Sequence, residues 1–109
     1  MTQKVSILLR EHLPMPLIYL ASAEDLARWQ KDQLEWAYQQ GHRRLSISCF
    51  DTAPMGFDLH QTAAIILTMV REFLKSHTDV ETLEVWCGDK TTWNTYCCTW
   101  NTWFSECTL

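Results

Sequence analysis

Four short segments of the chain show the apolar patterning expected of β-strands. In the hexapeptide LSISCF (residues 45–50) the apolar residues occupy alternate positions, and TLEVWC (residues 82–87) has a similar character. Residues 17–21 (LIYLA) form a nearly continuous apolar run. A further run, Val5–Leu9, is compatible with one more strand near the N-terminus.

Between these segments, apolar residues recur every three or four positions, which predicts amphipathic helices. The first helix is predicted to follow Ser22, a residue type that caps helices, and to carry its apolar face over residues 26–38. Gly41 provides its C-terminal stop. The second helix is predicted to follow Asp58, another capping residue, and to continue to about Ser76.

The order of these elements is β-α-β-α-β-α after the N-terminal run, which predicts the α/β fold class. Strands that alternate with helices of this length are joined by right-handed crossovers, so the sheet should be mostly parallel. We expect one small three-layer domain over residues 1–109, with helices flanking the sheet. Ligands of such sheets bind outside the carboxyl ends of the strands.

The last predicted helix is rich in tryptophan and repeats the tetrapeptide Thr-Trp-Asn-Thr seven positions apart. The stretch TTWNTYCCTWNTW (residues 91–103) fails the strand alternation, whereas helical spacing places its aromatic residues on one side. A platform that stacks nucleic-acid bases would need interleaved Lys or Arg, and this stretch has neither. The aromatic face is therefore interpreted as a packing or interface surface, formed by Trp93, Tyr96, Trp100 and Trp103.

Composition narrows the classes of function. The chain has 109 residues and a formal net charge of -4, which argues against binding to a nucleic-acid backbone. No segment reaches the length of about 18–20 apolar residues that spans a bilayer, so we predict no membrane association. The chain has five cysteines, two of them adjacent at positions 97 and 98, which favours a reduced, cytoplasmic protein over a disulfide framework.

Two groups of residues could in principle carry chemistry. Asp51, Asp58 and His60 lie close together in sequence and could act as a general acid and base, although helix capping already accounts for Asp58. Cys49 and Cys87 end strands expected to be neighbours, and with His60 they could form a nucleophilic site. Buried structural cysteine is the more common situation. No cysteine or histidine spacing typical of metal sites occurs, so we predict neither a metal nor a cofactor.

Three segments in order resemble the second half of a macro domain, the ADP-ribose-binding α/β module. LARWQKDQLEWAYQQGHRRLSIS is similar to a helix and the following strand of that family, and GFDLHQTAAIILTMVREFLKSH is similar to the next helix. VETLEVWCGDKTTWNTY is similar to the last strand and helix. The resemblance covers about residues 17–97 and implies a truncated macro-domain-like fold.

The chain departs from the family pattern in two ways. Only about 16 residues precede the first matching strand, so the family's N-terminal adenine and diphosphate segments have no counterpart. The family's glycine-rich phosphate loop is replaced by CFDTAPMGF, in which Pro54 removes a backbone donor and Asp51 adds a negative charge. Both changes disfavour an anionic ligand.

These observations predict a degenerate, non-catalytic interaction or self-association module that forms a homodimer or binds a protein partner. The alternative is a residual binder of ADP-ribose or a related nucleotide. The resemblance places such a vestigial ligand site at Thr52, Gly56, Asp58 and Asp89.

Overall fold

The computed structural model describes residues 3–11, 22–50, 52 and 56–103. The N-terminal apolar run forms a strand, whereas the strand predicted at residues 17–21 lies outside the described residues. In chain order the elements are β1 (Lys4–Leu9), α1 (Ala23–Gln39), β2 (Arg44–Cys49), α2 (Leu59–Ser76), β3 (Thr82–Cys87) and α3 (Lys90–Trp103).

The three strands form one parallel sheet in the order β1-β3-β2. The central strand β3 pairs with both neighbours in matching register, so that Val85 stands opposite Ile7 on one side and Ile47 on the other. The predicted α/β class, with a parallel sheet and flanking helices, is confirmed. In this topology β1 and β2 are the two edge strands, and each has one side without a neighbouring strand in the described part of the chain.

One face of the sheet forms the core. In β2 and β3 every second residue is buried, as the apolar alternation predicted. Buried residues from all three helices belong to the same hydrophobic cluster as this face. The buried residues of the two strands are Leu45, Ile47, Cys49, Leu83, Val85 and Cys87.

The alternate residues of β2 lie on the opposite face and are exposed. Arg44, Ser46 and Ser48 all fall in this group. Thr82 and Trp86, on the same face of the central strand, are half-buried. The face of the sheet opposite the core is therefore accessible along β2.

The caps predicted for α1 and α2 are both present. The Ser22 hydroxyl accepts a hydrogen bond from the backbone N–H of Asp25 at 3.1 Å. The Asp58 carboxylate accepts one from the N–H of Gln61 at 3.0 Å. Each cap satisfies one of the backbone donors that a helix leaves free at its first turn. Gly41 follows α1 with a φ of +96°, the left-handed conformation predicted for that position.

Replacement of Gly41 by Ala is expected to lower the free energy of unfolding by about 1 kcal/mol, because a Cβ atom is strained at positive φ. No atom lies within 4 Å of where that Cβ would stand, so backbone strain should be the whole effect. Thermal unfolding measures it, with an expected fall in Tm of about 4–8 °C. Gly41→Asn is the matched control and should cost less, since Asn tolerates this conformation better. An unchanged Tm for Gly41→Ala would contradict the left-handed conformation of Gly41.

The buried face of α3 includes Tyr96 of the predicted aromatic face and adds three threonines to it. Thr92, Thr95, Tyr96 and Thr99 are buried, whereas Trp93 and Trp100 are half-buried and pack beside them against the core. Small Thr side chains allow α3 to approach the core closely, so the bulky indoles are displaced to the flank of the contact. The tryptophans therefore border the helix interface and do not form its centre.

An aromatic and polar cluster links the C-terminal ends of α1 and α2. His77 stacks on Phe73 with ring centroids 4.1 Å apart, and its Nε2 lies 3.1 Å from a Glu35 carboxylate oxygen. Tyr38 packs edge-on against Phe73 and donates its hydroxyl to the Asp79 carboxylate at 2.7 Å. This hydrogen bond is the main reason why the pKa of Asp79 lies below its usual value. The cluster fixes the two helix ends to each other.

Candidate functional site

A shallow cleft lies where ligands of α/β sheets usually bind, at the carboxyl ends of the strands. It has a volume of about 340 Å³ and opens between the first turns of α1 and α2. Three of the residues predicted for the vestigial ligand site, Gly56, Asp58 and Thr52, lie in or beside this region. The lining residues are Ser22, Ala23, Glu24, Gly56, Phe57, Asp58, Gln61, Thr62 and Ile65.

Thr52 is not presented to the cleft. Its side chain is buried, with 2% of the residue exposed, and its hydroxyl donates to the Thr62 hydroxyl at 3.3 Å. Its carbonyl accepts a hydrogen bond from the N–H of Phe57. Gly56 is exposed at a φ of +85°, and no atom lies within 4 Å of the position that a Cβ would take. Of these two predicted residues, only Gly56 could meet a ligand.

The two predicted acidic residues serve as helix caps. Asp58 caps α2, and Asp89 accepts hydrogen bonds from both the N–H and the hydroxyl of Thr92, at 2.8 and 3.0 Å. Asp58 shares the cleft with Glu24, so two carboxylates line it. Their charge opposes the positive end of the helix dipole that would otherwise attract a phosphate. The cleft is electrostatically unsuited to a diphosphate. Asp51 and Pro54, which were also predicted to disfavour an anionic ligand, lie outside the described residues.

We expect no saturable binding of ADP-ribose at millimolar concentration, because the carboxylates of Glu24 and Asp58 repel its diphosphate. Backbone amide shifts of Gly56–Gln61 and Gly88–Lys90, followed by NMR during the titration, measure this directly. Adenosine serves as the uncharged control. Saturable shifts in these two stretches with ADP-ribose, absent with adenosine, would contradict the expectation and restore the nucleotide-binding alternative.

The thiols at the strand ends are poorly suited to nucleophilic chemistry. Cys49 and Cys87 are both buried, and burial raises the pKa of Cys49 to about 12. Burial likewise raises the pKa of Cys87, and the nearby Cys49 adds to the effect. A thiol that stays protonated at neutral pH is a weak nucleophile. His60 lies exposed on the first turn of α2. Within the described ranges, no group of three or more His, Cys, Asp or Glu side chains is placed to hold a metal ion.

The aromatic residues of α3 mainly serve intramolecular packing. The Trp93 indole N–H donates to the backbone carbonyl of Ile7 in β1 at 3.2 Å. Tyr96 is fully buried, so it cannot form part of an external interface in this fold. Trp100 packs against the core from the side. Trp93 and Trp100 keep partly exposed surface, and an interface role for them stays a prediction. The side chain of Trp103 lies outside the described residues.

A second depression runs along the outer edge of β2, a location that the sequence patterns did not indicate. We call it the β2-edge groove; it has a volume of about 290 Å³ and lies between β2 and α1. Two aromatic residues and several polar but uncharged ones form its walls. The lining residues are Trp29, Gln30, Gln33, Ser46, Ile47, Ser48 and Phe50.

The backbone of β2 directs alternate N–H and C=O groups toward this groove, and among the described residues one of them, the Ser48 carbonyl, has a side-chain partner. The N–H of Gly88 donates to the Cys49 carbonyl at 3.1 Å, and the N–H of Thr82 donates to the Arg43 carbonyl at 3.3 Å. Odd-numbered backbone groups of β2 therefore face β3. Because backbone groups alternate in direction along a strand, the N–H and C=O of Ser46 and Ser48 point away from the sheet.

Gln30 confirms this orientation and marks the floor of the groove. Only 3% of the residue is exposed, and its side-chain amide donates to the outward-facing carbonyl of Ser48 at 2.8 Å. Its side-chain oxygen is buried and has no hydrogen-bond partner among the described residues. The sequence places Gln30 among the apolar positions of α1, but only the fold shows that its amide binds the Ser48 carbonyl of β2.

The fold defines a small α/β domain with a parallel sheet, in which β2 has no neighbouring strand on its outer side within the ranges that the structure describes. No protein-family model, no curated protein and no solved structure matches the chain. Within the described ranges, no helix combines the length and the apolar character needed to cross a membrane. Function must therefore be inferred from the geometry of the two depressions.

Proposed function

We propose that the chain is a non-catalytic protein-interaction module that binds its partner along the β2-edge groove. The observation that carries this proposal is the outward orientation of the Ser46 N–H and C=O and of the Ser48 N–H beside uncharged side chains. The Ser48 carbonyl already accepts a hydrogen bond from Gln30. An edge strand with free N–H and C=O groups is a template for an additional strand. Such pairing supplies affinity through the backbone, and flanking side chains add specificity.

The walls of the groove fit a polypeptide better than a small metabolite. Trp29 and Phe50 provide apolar surface, and Trp36, one helical turn beyond Gln33, is 62% exposed. Aromatic residues of this kind are enriched at protein interfaces. None of the seven lining residues is charged, so the groove lacks the groups that would hold a phosphate or a carboxylate. This surface supports an interaction role without a catalytic one.

The resemblance to macro domains is compatible with this role and stays part of the proposal. A degenerate relative that lost its phosphate loop would retain the α/β scaffold and could use an edge strand for assembly. The carboxylates in the cleft at the strand ends and the internal hydrogen bond of Thr52 support loss of the ligand function.

Site-specific photo-cross-linking tests the proposal. A photoreactive phenylalanine analogue placed at Trp36 is expected to form a discrete adduct, identifiable by mass spectrometry, in cell extract supplemented with the labelled chain. The same analogue at Thr68, which is exposed on α2, is the matched control. Adding Ser46→Lys to the Trp36-labelled chain should abolish the adduct, because the Lys blocks strand pairing at the edge.

The proposal fails if labels at Trp36 and Thr68 give the same adducts, or if Ser46→Lys leaves the Trp36 adduct unchanged. The first result would mean non-specific collision, and the second would place the contact away from the β2 edge. The identity of the adduct, either a second copy of the chain or a different protein, is a separate question.

A further inference from the structure

We propose that Cys49 and Cys87 form a reversible disulfide that fastens the edge strand β2 to the central strand β3 when the protein meets a peroxide. The two residues are register partners at the ends of these strands. Both are free thiols buried on the core face of the sheet. The switch goes beyond the interaction proposed for the β2-edge groove and does not depend on it.

The sheet holds the two cysteines at a separation that a disulfide spans. Neighbouring strands lie about 4.7–4.9 Å apart, whereas the Cα atoms of disulfide-bonded cysteines are usually about 4.4–6.8 Å apart. Because both side chains lie on the same face, their Cβ atoms are neighbours too. The mean Cβ separation in a disulfide is ~3.8 Å, so the two strand ends must approach by about 1 Å. A bond formed under such strain is more easily reduced, which suits a reversible switch.

The cysteines form one of three buried rows that β2 and β3 share. In the other two rows, Leu45 lies beside Leu83 and Ile47 beside Val85. Aliphatic side chains therefore fill this face elsewhere, and the third row differs from them by two adjacent thiols. The pair adds an oxidation reaction that the aliphatic rows lack.

Cys49 is a better partner for Cys87 than the next thiol, Cys97 on α3. Burial raises the pKa of Cys87, and the charge of Cys49 adds more to this effect than the charge of Cys97 does. This order agrees with the strand register, which places Cys49 directly beside Cys87. The position of the two residues on neighbouring strands thus selects the pair.

The thiols become reactive when the strand ends open. In the closed core burial raises the pKa of Cys49 to about 12, so its thiol stays protonated at neutral pH and reacts slowly. Cys49 is the last residue of β2, and its carbonyl accepts the N–H of Gly88 at 3.1 Å. The ends of elements open locally at a lower free-energy cost than the whole fold. Such opening admits a small oxidant, and reclosing brings the two sulfur atoms together.

Hydrogen peroxide is the oxidant because its small size suits a buried site. One thiolate sulfur attacks a peroxide oxygen, so that an S–O bond forms, the O–O bond breaks and hydroxide leaves. The sulfur of the second thiol then attacks the sulfenic sulfur and forms the S–S bond. The displaced hydroxyl leaves as water with the proton of that thiol. Two thiols and one peroxide thus give a disulfide and two waters, and the two electrons pass from sulfur to oxygen.

Peroxide treatment of the full chain at a few micromolar tests the proposal, with alkylation in denaturant and peptide mass spectrometry as the readout. We expect peptides joined through Cys49 and Cys87, lighter by two hydrogen atoms and separated by dithiothreitol. The Tm should rise by several degrees, because the bond closes a long loop in the unfolded chain. Cys49→Ala should show neither effect. The double variant Cys97→Ser/Cys98→Ser is the matched control and should show both.

Oxidation of the urea-unfolded chain, which has five cysteines, gives the mixture of pairs expected without the fold. The proposal is overturned if the folded chain yields this same mixture, or if Cys87 is joined to Cys97. It is also overturned if Cys49 and Cys87 remain open to alkylation after unfolding while the exposed Cys98 has been oxidised. The pairs are mapped in the wild-type chain, so the result does not depend on the folding of a variant.

Discussion

Replacement of Phe73 by Ala is expected to lower the free energy of unfolding by about 3–5 kcal/mol. Phe73 is 1% exposed, and its ring stacks on His77 and meets the edge of Tyr38, while those two rings also contact each other. The substitution removes buried apolar surface and leaves a cavity in a close-packed core. It also removes two aromatic contacts, each worth about 0.5–1.5 kcal/mol, of which the one with Tyr38 links α1 to α2.

Urea unfolding at a protein concentration of a few micromolar measures this effect without a contribution from self-association. Trp36→Ala is the matched control, since it deletes a larger side chain that is 62% exposed. It should change the free energy of unfolding by no more than about 0.5 kcal/mol. A loss below about 1.5 kcal/mol for Phe73→Ala, or equal losses for the two variants, would mean that Phe73 is not at the centre of the core.

The fold class followed from the sequence because β2, α2 and β3 have clear and distinct periods. Of the apolar positions predicted for α2, residues 63, 66, 67, 70, 73 and 74 are buried, whereas Leu59 in the first turn is half-buried. In β2 every second residue is buried, as predicted. The caps at Ser22 and Asp58 also followed from local residue types, since capping depends on neighbours within three positions. Local patterns predicted these elements because the interactions that form them are local.

The buried face of α3 could not be predicted in the same way. Hydrophobicity ranks Trp above Thr, so the pattern pointed to Trp93 and Trp100 as the contact face. The structure buries Thr92 and Thr99 more deeply, and the two tryptophans pack against the core beside them. What decides the orientation is the space available beside α2 and the sheet, and Thr fits a close helix contact where an indole does not. This space exists only once the core has assembled, so the local sequence of α3 does not reveal it.

The candidate sites depended even more on tertiary structure. Tyr38 and Asp79 are 41 positions apart in sequence and meet only because α1 ends beside the loop before β3. Gln30 reaches Ser48 across the edge of the sheet. The sequence indicated a strand at residues 45–50 but gave no strand order, so it could not identify β2 as an edge. The β2-edge groove is a consequence of that order.

The chain is expected to lose stability steeply in alkaline solution, on the order of 3 kcal/mol between about pH 9 and pH 10.5. Burial raises the pKa of Cys49 to about 12 from an ordinary value of 9.0, and it raises the pKa of Cys87 as well. In the folded protein both thiols stay protonated over this range, whereas in the unfolded chain they ionise. The unfolded state therefore binds fewer protons, and stability falls as pH rises above the ordinary thiol pKa. Once the unfolded thiols are fully ionised, each contributes about 1.4 kcal/mol per pH unit.

Urea unfolding at a series of pH values from about 7.5 to 10.5 measures this slope. Cys49→Ala is expected to be less stable at neutral pH but to show a clearly smaller alkaline slope, because one of the buried groups that stay protonated in the folded protein is gone. Burial also raises the pKa of Tyr96, so part of the slope remains. Cys98→Ala removes an exposed thiol and should leave the slope as in the wild type. Below about pH 8 all three proteins should show little dependence on the thiols. Equal slopes for the wild type and Cys49→Ala would mean that Cys49 ionises in the folded protein, and a reactive thiol at the end of β2 would then have to be reconsidered.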